Sequence, residues 1–103
     1  MFGPEIVREY LEHCAVRLNG ARALVEKNLG PLDVETIKKL QKTVHKLAGS
    51  TGTYGFPNAE EAAVKLERLL GSSLESAKPL SEALKAEVLC LIETMRRGLG
   101  LEE

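Results

Sequence analysis

The residues best suited to chemistry in this chain are one histidine and the small side chains that follow it. His45 stands in the run Thr-Val-His-Lys-Leu-Ala-Gly-Ser-Thr-Gly at residues 43–52, which contains Gly49 and Gly52. Glycine inside a helix costs roughly 1 kcal/mol relative to alanine. Two glycines near one histidine therefore indicate that another molecule must come close to the imidazole.

An imidazole in this setting can act as a nucleophile. The reference pKa of a histidine side chain is about 6.5, so much of it is neutral near pH 7 and can accept a phosphoryl group on a ring nitrogen. Lysines on adjacent turns would stabilise the added negative charge, and Lys42 and Lys46 stand three residues before His45 and directly after it. The spacing of these residues is by itself equally compatible with an ordinary solvent-exposed histidine that has no chemical role.

The other histidine and the two cysteines do not form a second candidate site. His13 stands at the edge of an apolar helical stripe and lacks small neighbours one turn away, so we interpret it as a structural histidine or one at the boundary of the core. The helical pattern predicts that Cys14 and Cys90 are both buried free thiols. A zinc site made of the two histidines and two cysteines is then excluded, because both thiols would face the core while His45 faces solvent.

Length and composition favour one globular domain spanning residues 1–103. No apolar stretch approaches the roughly 18 residues of a membrane span, and the N-terminus lacks the order of a signal peptide. We therefore expect a cytoplasmic protein with no membrane association. The segment between Glu35 and Glu60 contains no acidic residue but four lysines, Lys38, Lys39, Lys42 and Lys46. This basic segment indicates an anionic partner.

Apolar residues at alternating spacings of three and four predict four amphipathic helices. Their expected ranges are about 4–28, 34–54, 57–70 and 80–97. Asp33 suits the N-cap of the second helix, and Gly55 suits the left-handed cap at its end. The segment from Gly71 to Pro79 is rich in small and turn-forming residues and predicts the longest loop. Short connections favour an all-α, antiparallel up-down four-helix bundle, which we expect to be a monomer.

The second predicted helix presents His45 to solvent. At 100° per residue, the apolar stripe that runs from Ile37 to Tyr54 centres roughly 130° away from the histidine. The side chains within about 60° of the histidine are Lys38, Gln41, Lys42, Ala48, Gly49 and Gly52. Gly49 lies one turn beyond His45, where any side chain would crowd an incoming group.

The run from His45 to Phe56 resembles the signature of histidine-containing phosphotransfer (HPt) domains. In that family the histidine is followed by a hydrophobic residue at the second position, glycine at the fourth, small residues next and a further glycine at the tenth. The residues that fill those places are Leu47, Gly49, Ser50, Thr51 and Gly55. The run from Ala62 to Glu67 also resembles the family's following helix, whose apolar pattern usually ends in Leu-Glu.

The resemblance implies that His45 accepts a phosphoryl group from the phospho-aspartate of a receiver domain and passes it to another, or exchanges it with a sensor histidine kinase. The expected partners are thus response-regulator receiver domains, a sensor kinase, or both. The chain would be a covalent carrier with no nucleotide or metal site of its own, and Mg²⁺ would belong to the partner receiver. The absence of a phosphate-binding glycine loop from the sequence agrees with this expectation.

One residue departs from the family's pattern. Many members carry lysine three residues after the histidine, where this chain has Ala48. We therefore assign the phosphate environment to Lys42, Lys46 and Gly49, and slightly prefer Lys42 as the amine because of its angular position. Receiver docking is assigned to Lys38, Gln41, Ala48 and Gly52.

Two other functions compete with that of a phosphoryl carrier, namely docking of receivers without transfer and nucleic-acid binding. A helical module of this fold could dock receiver domains without any phosphotransfer, and only a transfer assay separates it from a carrier. Nucleic-acid binding is disfavoured, because only four lysines cluster and the pI is about 6.1.

Overall fold

The computed structural model describes residues 2–101, which form four α-helices. They are α1 (Pro4–Lys27), α2 (Val34–Thr53), α3 (Pro57–Ser76) and α4 (Glu82–Gly98). Helix α1 packs against α2 and α4, and α3 packs against the same two helices. The predicted all-α class and up-down four-helix bundle are confirmed.

The core is built from one apolar side of each helix. Helix α2 contributes Ile37, Leu40, Val44 and Leu47, all of which are buried, together with the buried Thr51. The Thr51 hydroxyl donates a hydrogen bond of 2.8 Å to the Leu47 carbonyl, so this polar group is satisfied inside the core. Burying a whole apolar side chain stabilises the fold by about 1.5–3 kcal/mol, which makes α2 a firmly held wall of the bundle.

Both ends of α2 are capped as the sequence predicts. The Asp33 carboxylate accepts the Thr36 N–H at 2.8 Å, and hydrogen bonding by Thr36 holds the pKa of Asp33 below its usual value. At the other end Gly55 has φ +87°, in the left-handed region. The Phe56 N–H donates to the Thr51 carbonyl at 2.8 Å and the Gly55 N–H to the Gly52 carbonyl at 3.1 Å. These bonds form a Schellman motif that ends the helix.

The α1–α2 and α3–α4 connections meet at one end of the bundle. Leu32 and Leu80 form a pair of antiparallel backbone hydrogen bonds, each of 3.0 Å. The Lys85 ammonium donates to the Asn28 carbonyl and, at 2.9 Å, to the Gly30 carbonyl. A lysine of α4 therefore satisfies carbonyl groups that the end of α1 leaves free, and joins the two connections.

The loop predicted between Gly71 and Pro79 is largely helical, so that prediction is wrong. Helix α3 continues from the expected end at residue 70 to Ser76. Leu74 on the added turn packs against the core, and this tertiary contact outweighs the weak helix propensity of Gly71 and the neighbouring serines. The helix ends at Ala77, which has φ +54°.

The prediction that both cysteines are buried is correct for Cys14 and wrong for Cys90. The core-facing residues of α4 are Val88, Ile92 and Met95. Cys90 is two residues from both Val88 and Ile92, and about 200° of helical rotation turns it away from their side. Helix α4 also begins at Glu82 rather than residue 80, because Ser81 caps it by accepting the Leu84 N–H.

Replacing Ala77 with glycine should stabilise the protein. A non-glycine residue in the left-handed region costs the folded state roughly 1–2 kcal/mol, and glycine relieves that cost. Part of the relief is offset because glycine gives the unfolded chain more conformational freedom. We expect the free energy of unfolding to rise by about 0.5–1 kcal/mol in urea titrations followed by circular dichroism. The matched control is Ala86→Gly on the exposed side of α4. This substitution should lower the free energy of unfolding by about 1 kcal/mol. Equal losses in both variants would contradict the strain assigned to Ala77.

Candidate functional site

The His45 side chain projects into solvent from the middle of α2. It is 75% exposed, whereas the adjacent Val44 and nearby Leu47 are buried in the core. The prediction that the ring faces outward is therefore confirmed. Because the helix is capped at both ends and packed along its other side, the backbone that carries the ring has little freedom to move.

The orientation of the His45 ring is set by Glu67 on α3. The imidazole Nδ1 is hydrogen-bonded to the Glu67 Oε2, and the glutamate side chain is 30% exposed. An ionised carboxylate only accepts hydrogen bonds, so Nδ1 is the nitrogen that carries the proton. In the neutral imidazole the other nitrogen, Nε2, then holds the lone pair. The site thus presents one oriented nucleophilic nitrogen, with a carboxylate placed to stabilise positive charge on the ring.

Glu67 is the site residue that sequence reasoning missed. In the sequence its position is marked only by the end of the apolar pattern in α3, directly after Leu66, which is buried. Its pairing with His45 depends on how α2 and α3 lie side by side, which the periodicity of either helix does not specify. The one available signal was an acidic residue at the edge of the α3 core stripe.

The two candidate lysines lie on different parts of the surface. Lys42 lines a shallow depression together with Gln41, His45 and Glu67. Lys46 is exposed and lines a separate groove between α1 and α2. Lys38, predicted to contact a receiver, is 3.7 Å from the Glu35 carboxylate in an exposed ion pair. Lys42 is therefore the lysine that shares a concavity with the histidine and its carboxylate.

The two glycines near His45 have different surroundings. Gly49 is exposed, and a Cβ added there would meet no atom within 4 Å, so the surface beside the ring is open. A Cβ added at Gly52 would overlap the Glu60 carboxylate of α3. The Glu60 side chain thus lies over Gly52, and its flexible end would have to move to admit a methyl group there. Ala48, also assigned to docking, is half-buried and packs against the core.

The remaining candidate groups do not assemble into another site. His13 is exposed and borders shallow grooves along α1 with Arg17. Within residues 2–101, no group of three or more histidine, cysteine, aspartate or glutamate side chains is arranged to hold a metal ion. Over the same residues, no helix has the length and apolar character needed to cross a membrane.

Comparisons with known proteins agree with this geometry. The family model of the Hpt domain matches residues 5–98, which include nearly all of the four helices. Comparison of the chain with curated proteins and with solved structures gave no match. The matched range includes both His45 and Glu67. The chain therefore belongs to the Hpt domain family, and its role lies in a phosphorelay that involves two-component proteins.

Proposed function

We propose that this protein is a phosphorelay intermediate that carries a phosphoryl group on Nε2 of His45. The observation that supports the proposal best is the hydrogen bond between His45 Nδ1 and Glu67 on a ring that is otherwise open to solvent. In the neutral imidazole that bond keeps the proton on Nδ1 and directs the lone pair of Nε2 toward solvent, which is the arrangement that a nucleophile needs.

The transfer step follows from this protonation state. The Nε2 lone pair attacks the phosphorus of an aspartyl phosphate on the donor, an N–P bond forms, and the bond between phosphorus and the aspartate oxygen breaks. The aspartate leaves as a carboxylate with the bonding electrons. The imidazole ring becomes positively charged while Nδ1 keeps its proton, and the Glu67 carboxylate stabilises that charge. Transfer to the next aspartate reverses these steps.

Lys42 is the residue best placed to stabilise the phosphoryl group in the absence of a lysine at position 48. It shares a depression with His45 and Glu67, whereas Lys46 lines the groove on the other side of the ring. An ammonium group on the preceding turn can reach an oxygen of a phosphoryl group on Nε2. Gly49 completes this environment by leaving space beside the ring.

The partners that fit this chemistry are receiver domains of response regulators, a sensor histidine kinase that donates directly, or both. The receiver would supply the acidic pocket and Mg²⁺, and Lys38, Gln41 and Ala48 lie on the part of α2 around His45 that it would approach. Gly52, also assigned to docking from the sequence, is covered by the Glu60 side chain. We place the carrier in the cytoplasm as a monomer. The competing function, docking of receivers without transfer, lacks a reason for the orienting carboxylate at His45.

The proposal predicts that His45 alone becomes labelled. Incubation with a phosphorylated receiver domain from the same organism should give an acid-labile, base-stable phosphoryl group, and His45→Gln should abolish it. His13→Gln is the matched control and should be labelled normally. Label that persists in His45→Gln would show that another residue is the acceptor, and a receiver that binds but never labels the protein would favour the docking function.

Removing the Glu67 carboxylate should slow transfer and change the ring tautomer. Loss of one charge-assisted hydrogen bond predicts a decrease of about tenfold in the transfer rate for Glu67→Ala. The ¹⁵N shifts of the His45 ring should also show a smaller fraction of the Nδ1–H form. Glu61→Ala on the exposed side of α3 is the control and should change neither quantity. An unchanged tautomer in Glu67→Ala would contradict the assigned role.

Replacing Lys42 should shorten the lifetime of the phosphohistidine more than replacing Lys46. Exposed ion pairs contribute up to roughly 1 kcal/mol, so Lys42→Met should accelerate loss of the phosphoryl group by up to about fivefold. The decay is followed by ³¹P NMR of the isolated phosphoprotein, with Lys46→Met as the matched variant. A larger effect at Lys46 would reverse the assignment of the amine.

A further inference from the structure

We infer that two copies of this chain pair reversibly through the side of α1 that faces away from the bundle. The residues of this α1 outer face, all of them exposed, are Glu9, His13, Val16, Gly20, Ala23 and Lys27. Their spacings alternate between four and three, so they lie along one side of the helix. Helical rotation places this side about 140° from the side that carries the buried Cys14 and Leu18. The α1 outer face is therefore open to a second molecule.

The middle of the α1 outer face has an apolar projection beside a recess. Val16 is 72% exposed, and a Cβ added to Gly20, one turn further along, would meet no atom within 4 Å. Glycine inside a helix costs roughly 1 kcal/mol relative to alanine, and no contact within residues 2–101 requires glycine at position 20. Helices pack by fitting the side chains of one into the recesses of the other. Val16 and Gly20 offer both halves of such a contact on one surface.

The ends of α1 also expose apolar side chains. Ile6 is 51% exposed near the start of the helix, and Leu29 is 96% exposed two residues past its end. Phe2 differs from them, because its ring stacks on Tyr54 with centroids 4.4 Å apart, and Tyr54 stacks on Tyr10 at 3.8 Å. Exposed apolar surface of this kind is typical of a contact with another protein. An antiparallel second copy would bring Ile6 of one molecule beside Leu29 of the other.

The charges of the α1 outer face favour an antiparallel pair in one register. Glu9 and Lys27 lie at its two ends, and neither forms an ion pair with another of residues 2–101. Parallel copies would place like charges together at both ends. Antiparallel copies centred midway between Val16 and Gly20 instead place each Glu9 opposite Lys27 of the second copy. The same register sets each Val16 at Gly20 of the other molecule, so every contact is made twice about a twofold axis.

The pair is weak, because one helix of each copy supplies most of the contact. The α1 outer face is about 27 Å long at 1.5 Å per residue. Contacts that bury less than about 1,200 Å² are typical of transient complexes. The monomer proposed above is therefore the form at low concentration, and the dimer forms as the concentration rises. No residue of α2 belongs to the α1 outer face, so the pairing does not use the surface around His45.

The first test measures the mass of the full chain by sedimentation equilibrium between about 10 µM and 1 mM. We expect a monomer–dimer equilibrium with a Kd inside that range. Val16→Lys should weaken pairing by more than about tenfold, because it places an ammonium group in each half of the apolar centre. Ala86→Lys, which adds the same charge on the exposed side of α4, is the matched control and should change the Kd by less than about twofold. A monomer mass at every concentration, or wild-type pairing by Val16→Lys, would overturn the inference.

The second test uses two complementary charge reversals to check the register. Glu9→Lys alone and Lys27→Glu alone each place like charges together at both ends of the pair, so each should weaken pairing by about tenfold at low salt. An equal mixture of the two variants should pair about as tightly as the wild type, because opposite charges then meet at both ends. Glu26→Lys, about 100° around the same helix, is the control and should change the Kd by less than about twofold.

The mixture decides between registers. If it pairs no more tightly than either variant alone, the antiparallel register is overturned, and recovery of pairing supports it. Neither test involves phosphotransfer, so a failure of pairing and a failure of the carrier function are measured separately.

Discussion

A hydrogen bond between two helices determines what the rest of this site can do. His45 on α2 and Glu67 on α3 meet only if the two helices lie close together along their length. The Glu60 carboxylate of α3 lies over Gly52 of α2, which shows how near the two helices are at this point. Ala59, Ala62 and Ala63 are buried on the side of α3 that packs into the bundle. The packing of α3 against α2 therefore brings the carboxylate that orients the surface histidine within hydrogen-bonding distance.

A phosphoryl carrier has two requirements that oppose each other, and the helical bundle meets both. The nucleophile has to be accessible to partner proteins, yet it needs a defined orientation that an exposed side chain does not maintain by itself. Burial of one side of α2 holds its backbone, and the carboxylate of a neighbouring helix orients the ring. The packing of the helices thereby maintains the geometry of an exposed side chain.

Most of the fold and the position of the histidine were predictable from the sequence, because both follow from periodicity within one helix. The stripe from Ile37 to Thr51 predicts which side of α2 is buried and hence that His45 is exposed. The caps at Asp33 and Gly55 follow from residue type. The pairing with Glu67, the extra turns of α3 and the stacking of Tyr10 on Tyr54 were not predictable in this way. They depend on contacts between helices, and helical periodicity carries no information about how neighbouring helices are shifted along each other.

The two thiols of the chain differ in their accessibility, so that one of them can be labelled selectively. Cys14 is buried, and burial raises the pKa of its thiol, whereas Cys90 is exposed on α4. Helix α4 packs against α1 and α3 but not against α2 over the described residues. A maleimide dye attached at Cys90 would therefore label the molecule while the surface around His45 stays free for partner proteins. A linker at the same thiol would immobilise the protein in the same way, and neither use requires a cysteine to be introduced or removed.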